Sequence, residues 1–182
     1  MRLGIWNRRT AAVVCAALAC VMAAALVVRE RRWKRFATVA PGKVYRSGQL
    51  RTTQLASAIR ELKLSTVICL NPENVAAERA LCEKQGVGFF QFPMPADGHG
   101  EAEQFAEVVK LLRDPHRQPA LVHCFSGVAR TGASVALYRM MEDGWEQEKA
   151  IAELASFERR GTCLPELREH VHQVAGRIAE RR

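Results

Sequence analysis

The sequence predicts an α/β fold of three layers, a central and mostly parallel sheet flanked by helices, preceded by one membrane-spanning helix. Three features carry this. From about residue 43, short β-branched runs alternate with stretches of helical periodicity. The run Pro119–His123 (PALVH) is apolar along its length, as a strand covered on both faces requires. Residues 10–28 hold no charge over 19 positions, enough to cross a thin hydrocarbon core as a helix.

In chain order, Lys43–Ser47 is a short candidate strand. Thr52 is placed to cap a helix through Lys63, with Leu55, Ile59 and Leu62 on one face. Ser65–Leu70 (STVICL) reads as a buried strand, broken by Asn71-Pro72. Asn74 to Gln85 reads as a helix ended by Gly86, and Val87–Phe92 (VGFFQF) as the next strand. Pro93 to Gly100 is a loop. Glu101 to Arg113 is helical, with Phe105, Val108, Val109 and Leu112 on one side and Asp114-Pro115 closing it. After the Pro119–His123 strand come three helices, Arg130–Glu142, Glu146–Glu158 and Pro165–Ala179, separated near Gly144 and Gly161. Repeated βα units followed by a helical end give the layered sandwich.

The net charge of +8 belongs to one end of the chain. Residues 1–35 hold eight Arg or Lys against Glu30, a net +7, and the remainder is close to neutral at +1. A basic stripe for nucleic acid is therefore not expected on the globular part. Arg8 and Arg9 precede the apolar run, and Arg29, Arg31, Arg32, Lys34 and Arg35 follow it, with Trp6 and Trp33 placed like interfacial anchors. Residues 1–35 are expected to form a single-pass anchor with its basic flank, and 36–182 the globular domain. A cleaved signal peptide or a lipoprotein signal at Cys20 fits less well, because the run is long and continues past Cys20. The heavier basic flank on the C-terminal side places the globular domain in the cytoplasm by the positive-inside rule.

The six cysteines form no CxxC pair and no zinc-like spacing with histidine, so neither a metal nor a disulfide framework is expected. One of them stands in an informative setting: His123-Cys124-Phe125-Ser126-Gly127-Val128-Ala129-Arg130-Thr131-Gly132, after a buried strand and before a helix. A loop of that length can curl so that its amides point inward while the following helix presents its N-terminus, which together bind an anion. Gly127 supplies backbone freedom. Amide dipoles and the Arg130 guanidinium lower a thiol pKa, and Arg130 can grip two phosphate oxygens as Lys cannot.

His-Cys-x5-Arg-Thr-Gly resembles the signature of the cysteine-dependent protein tyrosine phosphatase superfamily. The resemblance covers about Lys43–Arg177 and is closest to the compact dual-specificity phosphatase-like members. Val44-Tyr45-Arg46-Ser47-Gly48-Gln49 resembles their opening segment, and Trp145, Ala150 and Glu153 their helix after the signature. It implies Cys124 as nucleophile, Arg130 as phosphate clamp and Thr131 as the hydroxyl that helps Cys124 leave. Phe125, Ser126, Gly127, Val128, Ala129 and Arg130 would form the phosphate cradle. It implies a phosphocysteine intermediate, with no metal or other cofactor required. It also implies an acid on the Pro93–Gly100 loop, for which Asp97 is the choice, with His99 and Glu101 behind it and Asp114 too near the strand entrance. An Asx turn of Asp97 with Gly98 is the plainer alternative. His123 is expected to order the loop, Arg46 and Ser47 to brace it, and Cys69 to be a core thiol or, as in some relatives, a disulfide partner of the nucleophile.

None of Phe125, Ser126, Val128 and Ala129 is basic, so the cradle leans toward one phosphate on a protein side chain or another phosphomonoester. The anchor keeps a lipid phosphate in play. A phosphate-binding pseudophosphatase is the rival from a different class. A structural Cys beside a helix-capping Arg, and a rhodanese-like domain, are the plainer alternatives for the motif itself.

Overall fold

The computed structural model describes residues 14–18, 20–22, 33–73, 75–157 and 164–180. The chain divides into two compact units, Met1–Arg32 and Trp33–Arg182. In the first, the described residues are helical and solvent-exposed. Most of the expected span at 10–28 lies outside the described residues, and among those described no helix is long and apolar enough to cross a membrane.

The second unit starts three residues before the expected boundary. It runs β1 (Ala37–Ala40), β2 (Val44–Gly48), α1 (Thr52–Leu62), β3 (Thr66–Cys69), α2 (Ala76–Lys84), β4 (Gly88–Gln91), α3 (Ala102–Arg113), β5 (Ala120–Cys124), α4 (Ala129–Glu142), α5 (Gln147–Ser156) and α6 (Leu164–Glu180). The sheet order is β1-β2-β5-β3-β4. β2, β5, β3 and β4 pair in parallel, and β1 adds an antiparallel edge. The strand carrying the signature is central, as its apolar run requires.

Alternation along the strands splits the core into two layers. Tyr45, Val67 and Leu121 face α1 and α2, meeting Leu55, Ala58, Ile59, Leu62 and Cys82. Val44, Ile68 and Val122 face the other way, onto Phe105, Val108 and Leu112 of α3, Leu137 of α4, Leu154 of α5 and Val171 of α6. Burying each such Leu or Ile stabilises by about 1.5–3 kcal/mol. The cap of α1 lies one residue before the expected one: Arg51 is the N-cap, its amide donating to Gln54 Oε1 at 3.0 Å, and Thr52 is the first helical residue. Its end is a left-handed Lys63 with φ 53°.

Two features depart from the sequence reading. The edge strand β1 is absent from it, because four residues beside a basic flank give too short an alternation to register. Trp33, expected at a membrane interface, is instead 2% exposed. It packs edge-on against Phe36 at 4.9 Å, and Phe36 stacks on Tyr45 at 5.8 Å. An indole beside cationic residues reads the same at a bilayer surface and at the rim of a core, and only the tertiary partners separate the two.

Candidate active site

The loop from Cys124 to Arg130 joins the C-terminal end of β5 to the start of α4. Gly127 makes it close: its φ is +77°, and a Cβ there would stand 2.6 Å from Gly48 N and 2.8 Å from Ser47 C. Both are backbone atoms that cannot move aside, so the end of β2 and the signature loop fit only through glycine. Val128 is the N-cap of α4, and Ala129 and Arg130 open the helix. Phe125 is the one signature side chain turned to solvent, 63% exposed.

The Cys124 thiol is buried. Gly127 N–H donates to Sγ at 3.2 Å, and Ser126 Oγ lies 3.9 Å away. Burial works against ionisation of this thiol. Hydrogen bonding from the Thr131 hydroxyl and amide, then the Gly127 amide and the charge of Arg130, outweigh it and hold its pKa below the ordinary thiol value. The Thr131 hydroxyl is fully buried and, with no other hydrogen-bond partner among the described residues, is left to the Cys124 sulfur. Cys82, equally hidden but without such donors, is pushed up to about 12, by burial first and then by Glu78.

Arg130 is 93% buried, and its Nη1 donates to the carbonyls of Leu70 at 3.2 Å and Met94 at 3.5 Å. Both acceptors are neutral, so they aim the guanidinium without cancelling its charge. Arg46, expected to brace the loop, does so through Nη2 to Gly127 O at 2.9 Å, with Phe157 stacked 3.6 Å from its Cζ. Burial lowers the pKa of Arg46 to about 10, against the pull of Glu153 and Cys124. Trp145 and Glu153 meet in a separate support: Arg139 lies over the Trp145 ring and pairs with Glu153 at 3.0 Å.

His123 points away from the cradle. Its Nε2 meets Glu78 Oε1 at 2.8 Å, both side chains buried. Burial opposes the imidazolium, but hydrogen bonds to Cys69 and Glu78 raise its pKa well above the ordinary histidine value. Cys69, Glu78 and His123 have their ligand-type atoms within 4.8 Å of one another, the one such group with metal-ligand chemistry among the described residues. Local spacing carried no sign of it, because it is assembled from β3, α2 and β5. Cys69 is a free thiol, and it lies opposite His123 in the strand register.

The Pro93–Gly100 loop lies against the cradle. A Cβ on Gly98 would come 3.1 Å from the Ala129 carbonyl carbon. Asp97 is 59% exposed, and its Oδ1 accepts the His99 amide at 3.0 Å, with His99 Nδ1 at 3.4 Å. That is the Asx geometry named above as an alternative, and the bond from the His99 amide is the main cause of an Asp97 pKa below the usual carboxylate value. Of the other acids weighed, Glu101 is the N-cap of α3, and Asp114 stands at the far end of the same helix. The ring of His99 packs 4.6 Å from that of His170. A cavity of about 620 Å3 bordered by Ala102, Val109, Arg113 and Met141 opens beside α3 and α4 and includes no signature residue.

Sequence reasoning missed Lys34 and Arg35. Lys34 Nζ donates to Phe125 O at 2.6 Å, and Arg35 Nη1 to Ser126 O at 2.9 Å. Both contacts span 91 residues, and no local pattern announces them.

Comparison with known proteins agrees with this geometry. A family model described as the tyrosine phosphatase family matches residues 32–167. The dual specificity protein phosphatase TpbA of Pseudomonas aeruginosa is 29% identical over 111 residues, covering 61% of this chain and 49% of that protein. The inositol diphosphatase DSP1 of Oryza sativa subsp. japonica is 33% identical over 114 residues, covering 59% and 50%. The chain thus spans about half the length of the curated relatives it matches. Among solved structures, the core catalytic domain of the PP-IP phosphatase SIW14 from S. cerevisiae, in complex with citrate, superposes with a TM-score of 0.68 at 21% identity, covering 80% of this chain and 91% of that one. P. aeruginosa TpbA superposes with a TM-score of 0.64 at 24% identity, covering 85% and 99%.

Proposed function

The chain belongs to the tyrosine phosphatase family, and on that premise we propose that it is a phosphomonoester hydrolase of the protein-tyrosine or dual-specificity kind, working through a phosphocysteine on Cys124. The observation that carries this is the pairing of a buried thiol of lowered pKa with a buried guanidinium whose bonds go to neutral carbonyls. Such a guanidinium keeps its charge for an incoming anion.

The thiolate of Cys124 attacks phosphorus in line with the leaving oxygen. Loop amides and Arg130 hold the equatorial oxygens as charge spreads over them. Asp97 protonates the leaving oxygen and then, as a base, draws a proton from the water that opens the phosphocysteine. A phosphate dianion in the cradle raises the Asp97 pKa by like charge, which supplies the protonated form that the first step needs. Thr131 donates to the departing sulfur. Phe125 at the mouth, and the uncharged Ser126, Val128 and Ala129, suit a single phosphate on an apolar or aryl carrier.

A second reading is favoured by the likeness to inositol diphosphatases: a substrate carrying several phosphates. The apolar run at 10–28 supports a membrane anchor holding the catalytic unit at the cytoplasmic face, where a lipid phosphate is also within reach. The test is metal-free hydrolysis by the full chain in detergent, comparing a phosphotyrosine peptide, a phosphoserine peptide, an inositol pyrophosphate and an anionic lipid phosphate. Preference for the phosphotyrosine peptide supports the first reading. Preference for the inositol pyrophosphate overturns it in favour of the second. Binding of phosphopeptide with no turnover identifies a pseudophosphatase.

A further inference from the structure

We propose that Lys34 and Arg35 are positioning residues of the cradle, acting with Arg46 as a cationic clamp on three consecutive carbonyls of the signature loop; this rests on reading that loop as the phosphate site. Lys34 Nζ holds Phe125 O at 2.6 Å, Arg35 Nη1 holds Ser126 O at 2.9 Å, and Arg46 Nη2 holds Gly127 O at 2.9 Å. A planar trans peptide points its carbonyl and the next residue's N–H in opposite directions. Fixing the oxygens of residues 125, 126 and 127 on cations outside the loop therefore fixes the amides of Ser126, Gly127 and Val128 on the other side. The Gly127 amide already points at Cys124 Sγ, at 3.2 Å. A cation at the carbonyl end also polarises each peptide so that its N–H is a better donor to an anion.

The segment bearing the clamp is itself held. Trp33 and Phe36 are buried on either side of it. Gly48 N–H donates to Lys34 O at 2.7 Å, and the Lys34 ammonium lies 4.3 Å from the centre of the Phe125 ring. Arg35 has φ 45°, in the left-handed region that residues with a Cβ rarely adopt. A long cationic side chain kept in an uncommon backbone conformation, ending on a loop carbonyl, marks a position where the contact matters. None of the variable signature positions is basic, so the cations that hold these carbonyls come from 91 residues upstream for Lys34 and Arg35 and 81 for Arg46.

The experiment uses the full chain in detergent. Lys34→Met, Arg35→Met and the double variant remove the charges while keeping much of the side-chain stem, and Lys34→Arg and Arg35→Lys keep a cationic donor. Thiolate ultraviolet absorbance is followed against pH, each protein being paired with its Cys124→Ser counterpart so that only Cys124 is read. Hydrolysis of an aryl phosphate gives kcat and KM, and thermal melting checks folding. The double Met variant is expected to titrate Cys124 at higher pH and to lose about 10–100-fold in kcat, somewhat less than a lost oxyanion donor costs. The cation-keeping variants are expected to restore both. Unchanged titration and kcat in the double Met variant overturn the proposal. So does an equal loss in the cation-keeping variants, which would make the segment mere packing. If the wild type hydrolyses no phosphate ester, the phosphatase reading fails by itself, while the titration still decides the clamp.

Discussion

Two loops meet at the site, and they are held in opposite ways. The signature loop is fixed from all sides: Gly127 fits against the backbone of β2, cationic side chains take three of its carbonyls, and the thiol at its root receives an amide at 3.2 Å. The Pro93–Gly100 loop touches the same helix start through Gly98, yet its carboxylate is 59% exposed and bonded within its own turn. A group that must stabilise a developing charge has to be placed before the reaction starts. A group that must give up a proton and then take one gains from facing solvent and substrate. The two loops therefore answer differently to substitution.

The largest effects belong to the fixed loop. Cys124→Ser removes the proposed nucleophile and should bring turnover to background, at least about 10⁴-fold down, with phosphate still bound; single-turnover assays with a phosphate-binding measurement check both halves. Gly127→Ala should lose nearly as much for a mechanical reason. Its Cβ would stand 2.6 Å from Gly48 N with φ at +77°, a strain of about 1–3 kcal/mol or more. Melting temperature and kcat should fall together. Full activity in Gly127→Ala would show that the loop is not held as described.

Asp97→Asn tests the open loop. On the proposed mechanism turnover needs Cys124 ionised and Asp97 protonated, so the rate rises with pH through the first group and falls through the second. In the free enzyme both groups sit below their ordinary values, which puts the optimum of kcat/KM on the acid side of neutral. The variant should lose about 10²-fold in kcat, at the low end for a general acid, and should lose the falling limb of the profile. An unchanged falling limb would move the acid role to His99 or Glu101.

The same contrast explains what was legible in the sequence. The order of elements after residue 43, the central place of the PALVH strand and the strand–loop–helix setting of Cys124 all follow from local periodicity, and they stand in the structure with ends moved by a residue or two. Cys124, Gly127 and Arg130 were readable because they lie within seven residues and each has a local reason to be there. The contacts of Lys34 and Arg35 were not, because the partner is 91 residues away and is backbone, which leaves no trace in residue types. Trp33 was misplaced for a related reason: its neighbours in sequence are cations, but its neighbours in space are Phe36 and the core. Nothing in the local sequence marks Glu78, which β3, α2 and β5 together bring to His123.

Glu78→Gln separates support from chemistry beneath the fixed loop. The folded-state pKa of His123 is raised, so its contribution to stability is fully present below the unfolded value of about 6.5 and is lost as pH rises toward the folded value. Wild-type melting temperature should therefore fall from neutral into alkaline pH. In Glu78→Gln that slope should flatten, with a loss of about 3–5 kcal/mol near neutrality from breaking a buried pair. Equal slopes in the two proteins would mean that the pair is not ionised as described.

Ser126→Ala is expected to do least, although Ser126 lies inside the signature. Its hydroxyl accepts the Val128 amide at 3.3 Å and sits 3.9 Å from the Cys124 sulfur, a loose contact beside the Gly127 amide. What the loop needs from residue 126 is its peptide, and the carbonyl held by Arg35 is unchanged by removing the side chain. Losing one neutral hydrogen bond costs about 0.5–1.5 kcal/mol, so kcat should fall no more than about 10-fold. A much larger fall would mean that the hydroxyl itself acts on the thiolate or the bound phosphate, and the main-chain account of the cradle would have to give way to a side-chain one.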